Sequence, residues 1–76
     1  MITEVPKDKL IEELAKSIGI EAAVEIVNDT MRKLGIDKDV LSKDEAIKVC
    51  RALAERGDVV GISARVIIAK IYIGSL

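Results

Sequence analysis

Ile62-Ser63-Ala64-Arg65-Val66-Ile67-Ile68-Ala69-Lys70-Ile71-Tyr72-Ile73 is the stretch on which the fold class turns. Its β-branched residues favour a strand, and it lacks the clean polar face of an amphipathic helix. Its length and its setting behind three helical segments favour a helix. Read as a helix, it completes an all-α fold, a compact four-helix bundle. Read as a strand, Val66 to Ile73 would pair with Asp58 to Ile62 in a C-terminal hairpin, and the domain would be α+β with three helices. The helical reading carries a consequence. A helix apolar nearly all round has to be central in its fold or shared with another chain.

The three preceding segments follow the helical period. Pro6 suits a first helical turn, Leu10, Ile11, Leu14 and Ile18 form one face, and Gly19 ends the helix. Lys7, Lys9, Glu12, Glu13 and Lys16 form the opposite, solvated face. The second helix carries Ile20, Val24, Val27, Met31 and Leu34, and Ala23 and Ile26 widen that stripe beyond a coiled-coil seam. Arg32 and Lys33 in its last turn lead to Gly35, a left-handed stop after which Ile36 folds back on Met31. In Leu41-Ser42-Lys43-Asp44-Glu45-Ala46, Ser42 and Glu45 form a capping box, with Leu41 stapled to Ala46. The third helix then runs through Ile47, Cys50, Leu53 and Ala54 to Gly57. No repeat, low-complexity tract or linker interrupts residues 1–76, which read as a single helical domain.

Composition narrows the function. A chain of 76 residues buries only about 60% of its unfolded surface, so a lone monomer is marginally stable. Half the residues are hydrophobic and Tyr72 is the sole aromatic, so the core is aliphatic and lacks the rings that stack bases, sugars or planar cofactors. The net charge of −1 offers no general attraction to nucleic acid or anionic membranes. Residues 1–37 carry five Lys or Arg against eight Asp or Glu, and residues 38–76 carry seven against five, giving −3 and +2. A mixed solvated surface accounts for that asymmetry. Cys50 stands alone and histidine is absent, which excludes an intramolecular disulfide and a Cys/His metal set. No leader-like segment opens the sequence, and the run Val59 to Ile73 is broken by Arg65 and Lys70. The expectation is a cytoplasmic protein with no membrane span. Gln is missing, Asn28 is the only Asn, and Ile, Lys and Glu abound, a thermophile's habit.

No chemistry-bearing motif survives inspection. Glu21, Glu25 and Asp29 share a helix face with no cleft to desolvate them. Asp37-Lys38-Asp39 fails as a calcium loop, because Leu41, Ser42 and Lys48 fall where a ligand, the turn glycine and the bidentate acid belong. Gly57-Asp58-Val59-Val60-Gly61 lacks both the third glycine of a dinucleotide fingerprint and a P-loop ending, and its two glycines read as helix stop and helix start. Cys50, without a His partner, reads as a small core residue, and Ile62-Ser63-Ala64 does not resemble the serine motif of a carrier protein. A helix-turn-helix around Gly57 would present isoleucines and valines where base readout needs polar groups.

Leu14-Ala15-Lys16-Ser17-Ile18-Gly19, followed by Ala22, Val24 and Ile26 and later by Leu53-Ala54, resembles a short helical domain found at the C-termini of prokaryotic kinases and response regulators. The resemblance covers the first half of the chain and departs at Ile20, where that pattern commonly has proline. It implies an accessory or interaction module, and no catalytic residue belongs to it. The sequence thus leads to a non-catalytic module without cofactor or metal, working by self-association as a dimer or by binding a protein partner. The candidate interface is Val66, Ile68, Ile71, Tyr72 and Ile73. A small transcription-associated DNA binder is the alternative.

Overall fold

The computed structural model describes residues 3–76. Met1 and Ile2, the first residues of the expected 1–76 domain, lie outside the described residues. The chain is mainly α. In order it forms β1 (Glu4–Pro6), α1 (Lys7–Ile18), α2 (Ile20–Lys33), β2 (Val40–Ser42), α3 (Lys43–Ala54) and α4 (Val59–Ile73). The segment from Ile62 to Ile73 is helical, as its length indicates, and the C-terminal hairpin does not form.

The all-helical expectation needs one correction. β1 and β2 pair antiparallel, with Val5 opposite Leu41 and Glu4 opposite Ser42. Val5 and Leu41 are the inward residues of the two strands, 2% and 0% exposed, while their neighbours face out. Bonds from Lys7 N–H to Asp39 C=O and from Lys43 N–H to Thr3 C=O extend the pairing at either end. Strands of three residues have too little alternation to announce themselves in a sequence. Pro6, expected in the first turn of α1, instead closes β1 and precedes the helix.

Local signals govern the other boundaries. Gly35 has φ +72°, Ile36 N–H bonds to Met31 C=O and Gly35 N–H to Arg32 C=O, the paired bonds of a Schellman stop. A residue with a Cβ would be strained at that φ. At α3, Glu45 N–H donates to Ser42 Oγ at 3.1 Å and Ser42 N–H to Glu45 Oε1 at 2.9 Å, the two halves of a capping box. The start of α4 corrects the sequence reading. Asp58 is its N-cap, accepting from Val60 N–H at 3.1 Å, so the helix begins at Val59 and Gly61 lies within its first turn rather than ahead of it.

One aliphatic core joins all six elements. Leu10 and Leu14 of α1, Val27 and Met31 of α2, Val49, Cys50 and Leu53 of α3, and Val60, Ala64, Ile67 and Ile71 of α4 are buried together with Val5 and Leu41. Each large aliphatic side chain so buried contributes about 1.5–3 kcal/mol. α3 packs closely on α4, and the turn between them passes close to Gly61. A Cβ built there would lie 2.1 Å from the backbone oxygen of Arg56, so no side chain fits without moving the α3–α4 turn.

Two measurements check these readings. Ser42→Ala removes the oxygen that satisfies an orphan amide of α3, and the urea midpoint should fall by the equivalent of about 1 kcal/mol. Gly61→Ala should also destabilise, by about 1–3 kcal/mol for overpacking, although Gly to Ala within a helix otherwise gains about 1 kcal/mol. A gain in stability would show that the α3–α4 turn yields freely.

Candidate interaction surface

α4 carries two apolar rows, each with alternating helical spacings of three and four. Val60, Ala64, Ile67 and Ile71 point into the core. Val59, Ile62, Val66, Ala69 and Ile73 form the second row, and all of them face solvent. Val59, Ile62, Val66 and Ile73 are 53%, 65%, 52% and 76% exposed, and Tyr72, beside the row, is 55% exposed. The helix is therefore apolar on opposed sides, and among the described residues only one of them is covered.

Of the interface residues named from the sequence, Val66, Tyr72 and Ile73 lie on this outward face. Ile68 is half-buried at the core's edge, and Ile71 is only 1% exposed, an inward residue of the core. Ile71 follows Ile67 by four residues, so it shares that inward row and cannot face a partner. Sequence reasoning missed Val59 and Ile62. The spacing that finds them extends from Val66: Ile62 already lay within the segment read as a helix, and Val59 joins the row once Asp58 is recognised as the cap.

Polar contacts hold α4 against α1. Glu13 of α1 receives Lys70 of α4 and, at 2.7 Å, Lys16 of its own helix. Ser63 of α4 hydrogen-bonds Ser17 of α1. Since 13 meets 70 and 17 meets 63, the two helices run antiparallel. Glu13 corrects the reading of α1's polar face, because its side chain is only 16% exposed and sits in the seam between helices. Hydrogen bonds from Lys16 and then Lys70 hold its carboxyl below the usual carboxylate range. Lys70 is thus turned away from the outward row, and Arg56 pairs with Asp58 at 3.8 Å. Arg65 is the one cation that α4 presents to solvent beside the row.

The side chains weighed for chemistry in the sequence are buried, engaged or open to water. Cys50 is buried, and desolvation pushes its thiol up to about 12, far from a thiolate at neutral pH. Ser63 is buried and engaged with Ser17. Glu21 and Glu25 face water, and Asp29 is paired with Arg32 and Lys33. Among the described residues no three His, Cys, Asp or Glu come together as a metal set. The hollows of the surface are open depressions. One of about 520 Å³ beside the α2–β2 loop is lined by Lys7, Arg32 and Lys38, which are engaged by Asp39, Asp29 and Glu45 respectively. No helix among the described residues is long and apolar enough to cross a membrane. The chain matches no protein-family model, no curated protein and no solved structure.

The Glu13 seam has a pH signature. A carboxyl whose folded pKa lies below its unfolded value of 4.5 adds stability that is fully present above that value and is lost as pH falls through the folded pKa. Denaturation midpoints should therefore drop as pH is lowered through and below 4.5, and Glu13→Gln should shrink that drop while lowering stability at pH 7. An acid limb unchanged by the substitution would remove Glu13 from the account.

Proposed function

We propose that the chain is a small non-catalytic protein–protein interaction or oligomerisation module that uses the outward row of α4 as its contact surface. The observation that carries this is the row itself. Val59, Ile62, Val66, Ile73 and Tyr72 are each more than half exposed on one side of one helix, and contiguous apolar patches of that kind mark contact sites. Regular helical spacing on a rigid element suits helix-on-helix docking.

The resemblance of Leu14 to Gly19 and its following residues to accessory domains of prokaryotic kinases and response regulators supports the same reading. On it, the module serves signalling or regulation in the cytoplasm of a thermophilic prokaryote, without cofactor or metal. A DNA-binding role has less support. Base readout needs convergent donors and acceptors, and α4 offers one outward cation, Arg65, amid valine and isoleucine.

Site-specific photo-crosslinking in cells tests the reading. A photoreactive residue at Ile62, on the row, should yield protein adducts, and one at Glu12, exposed on α1, should not. Absence of adducts from position 62, or equal yields from both positions, would reject the surface as a docking site.

A further inference from the structure

We infer that the occupant of the outward row of α4 is a second copy of the same chain, packed antiparallel about a two-fold axis that passes beside Val66. This rests on the proposed function, and goes further by naming the partner and the register.

The row reads Val59, Ile62, Val66, Ala69, Ile73, and Val66 is its midpoint. Turning it end for end about Val66 sets Val59 against Ile73 of the second copy and Ile62 against Ala69. Ile62 is a large side chain and Ala69 a small one, so each copy puts a knob over the other's hollow, twice by symmetry. A row with large residues at both positions would clash with its own image, and one with small residues at both would leave a void.

Area agrees. At the exposures of Val59, Ile62, Val66, Tyr72 and Ile73, roughly 500 Å² of apolar surface stands in water, near the top of the range soluble monomers show. A stable interface buries about 800 Å² per partner, of which this apolar strip supplies more than half. α4 spans 15 residues, roughly 22 Å at the helical rise, long enough for the whole row to be covered by its image.

Charge neither supplies nor forbids the pairing. Lys70 is held by Glu13 and Arg56 by Asp58, and beside Tyr72 the cations Lys43, Lys48 and Arg51 stand with Asp44 and Glu45, so charges of both signs border the row. Arg65 precedes Val66 on the same helix and so stands next to the proposed axis. A residue next to a two-fold axis lies near its own copy, so the two Arg65 side chains repel one another in the pair.

Sedimentation equilibrium of the purified chain, with circular dichroism to verify folding, tests the inference. Wild type should sediment at twice its 8.2 kDa mass. Val66→Asp should give a folded monomer, because Val66 is already half-exposed in the single chain. Ala69→Ile fills the hollow opposite Ile62 and should weaken association at least about 10-fold. Ile62→Ala combined with Ala69→Ile exchanges knob and hollow, and should restore association to within about 3-fold of wild type. Arg65→Gln should tighten the pair at low ionic strength, with the gain fading as salt screens the repulsion. A wild-type mass of 8.2 kDa would overturn the inference, as would a double variant no tighter than Ala69→Ile alone or an Arg65→Gln variant that loosens the pair. Should wild type be monomeric while position 62 still crosslinks in cells, the occupant is another protein and the docking surface stands. Should both fail, the surface itself is rejected.

Discussion

The outward apolar row follows from how α4 seats against its neighbours. Its inner row, Val60, Ala64, Ile67 and Ile71, is buried, and the seat depends on Gly61, whose missing side chain lets the helix come within contact of the Arg56 carbonyl. Small residues at 61 and 64 bring backbones close, and the larger Ile67 and Ile71 fill the space further along. With that row turned inward, helical geometry leaves no freedom about the other. Residues 59, 62, 66, 69 and 73 lie on the far side of a rigid cylinder and cannot be buried by the same contacts.

An apolar helix with two similar rows could in principle be seated either way round. Hydrophobic burial is nearly indifferent to the choice, since both rows are aliphatic. The polar contacts of the α1–α4 seam are not indifferent. Lys70 reaches Glu13 and Ser63 reaches Ser17 only in the observed orientation, and turning the helix over would strand Ser63 in water and leave Glu13 half-buried with one cation fewer. A directional polar contact in a mostly apolar interface selects one packing among several of similar apolar burial. In this chain the seam therefore does what a more varied core of aromatic and aliphatic shapes does elsewhere. The core itself, built from Leu, Ile, Val, Ala, Met and Cys, offers little shape contrast.

The short elements of the described residues leave this row uncovered. Three helices of 12 to 14 residues and a pair of three-residue strands can surround one side of a fourth helix, and each must also bury its own stripe. The sheet adds its two inward residues, Val5 and Leu41, to the core. Among the described residues no element lies across Val66, which is exposed. A chain this small gains from association by the same apolar burial that stabilises its interior, which is the physical basis of the proposed role in protein contact.

The helix boundaries set by local chemistry were legible residue by residue. Ser42 with Glu45, and Gly35 with Ile36 and Met31, act through bonds between positions a few residues apart, and such bonds form wherever the chain carries those residues. The inward stripes of α1 and α2 were legible for the same reason, because a periodic apolar face needs no knowledge of its partner to be recognised. The helical state of residues 62–73 followed from length, although β-branched side chains argued against it. Other features depended on residues far apart in the chain. Val5 and Leu41 pair only because the helices between them bring residues 4–6 beside residues 40–42. Glu13 leaves its solvated face because Lys70 arrives beside it from 57 positions away. The same holds for the candidate surface. The sequence shows a last helix apolar nearly all round, but inner and outer rows are alike in composition. Which one faces water was decided by the close approach at Gly61 and the seam at Glu13 and Ser17, interactions that exist only once the helices have packed.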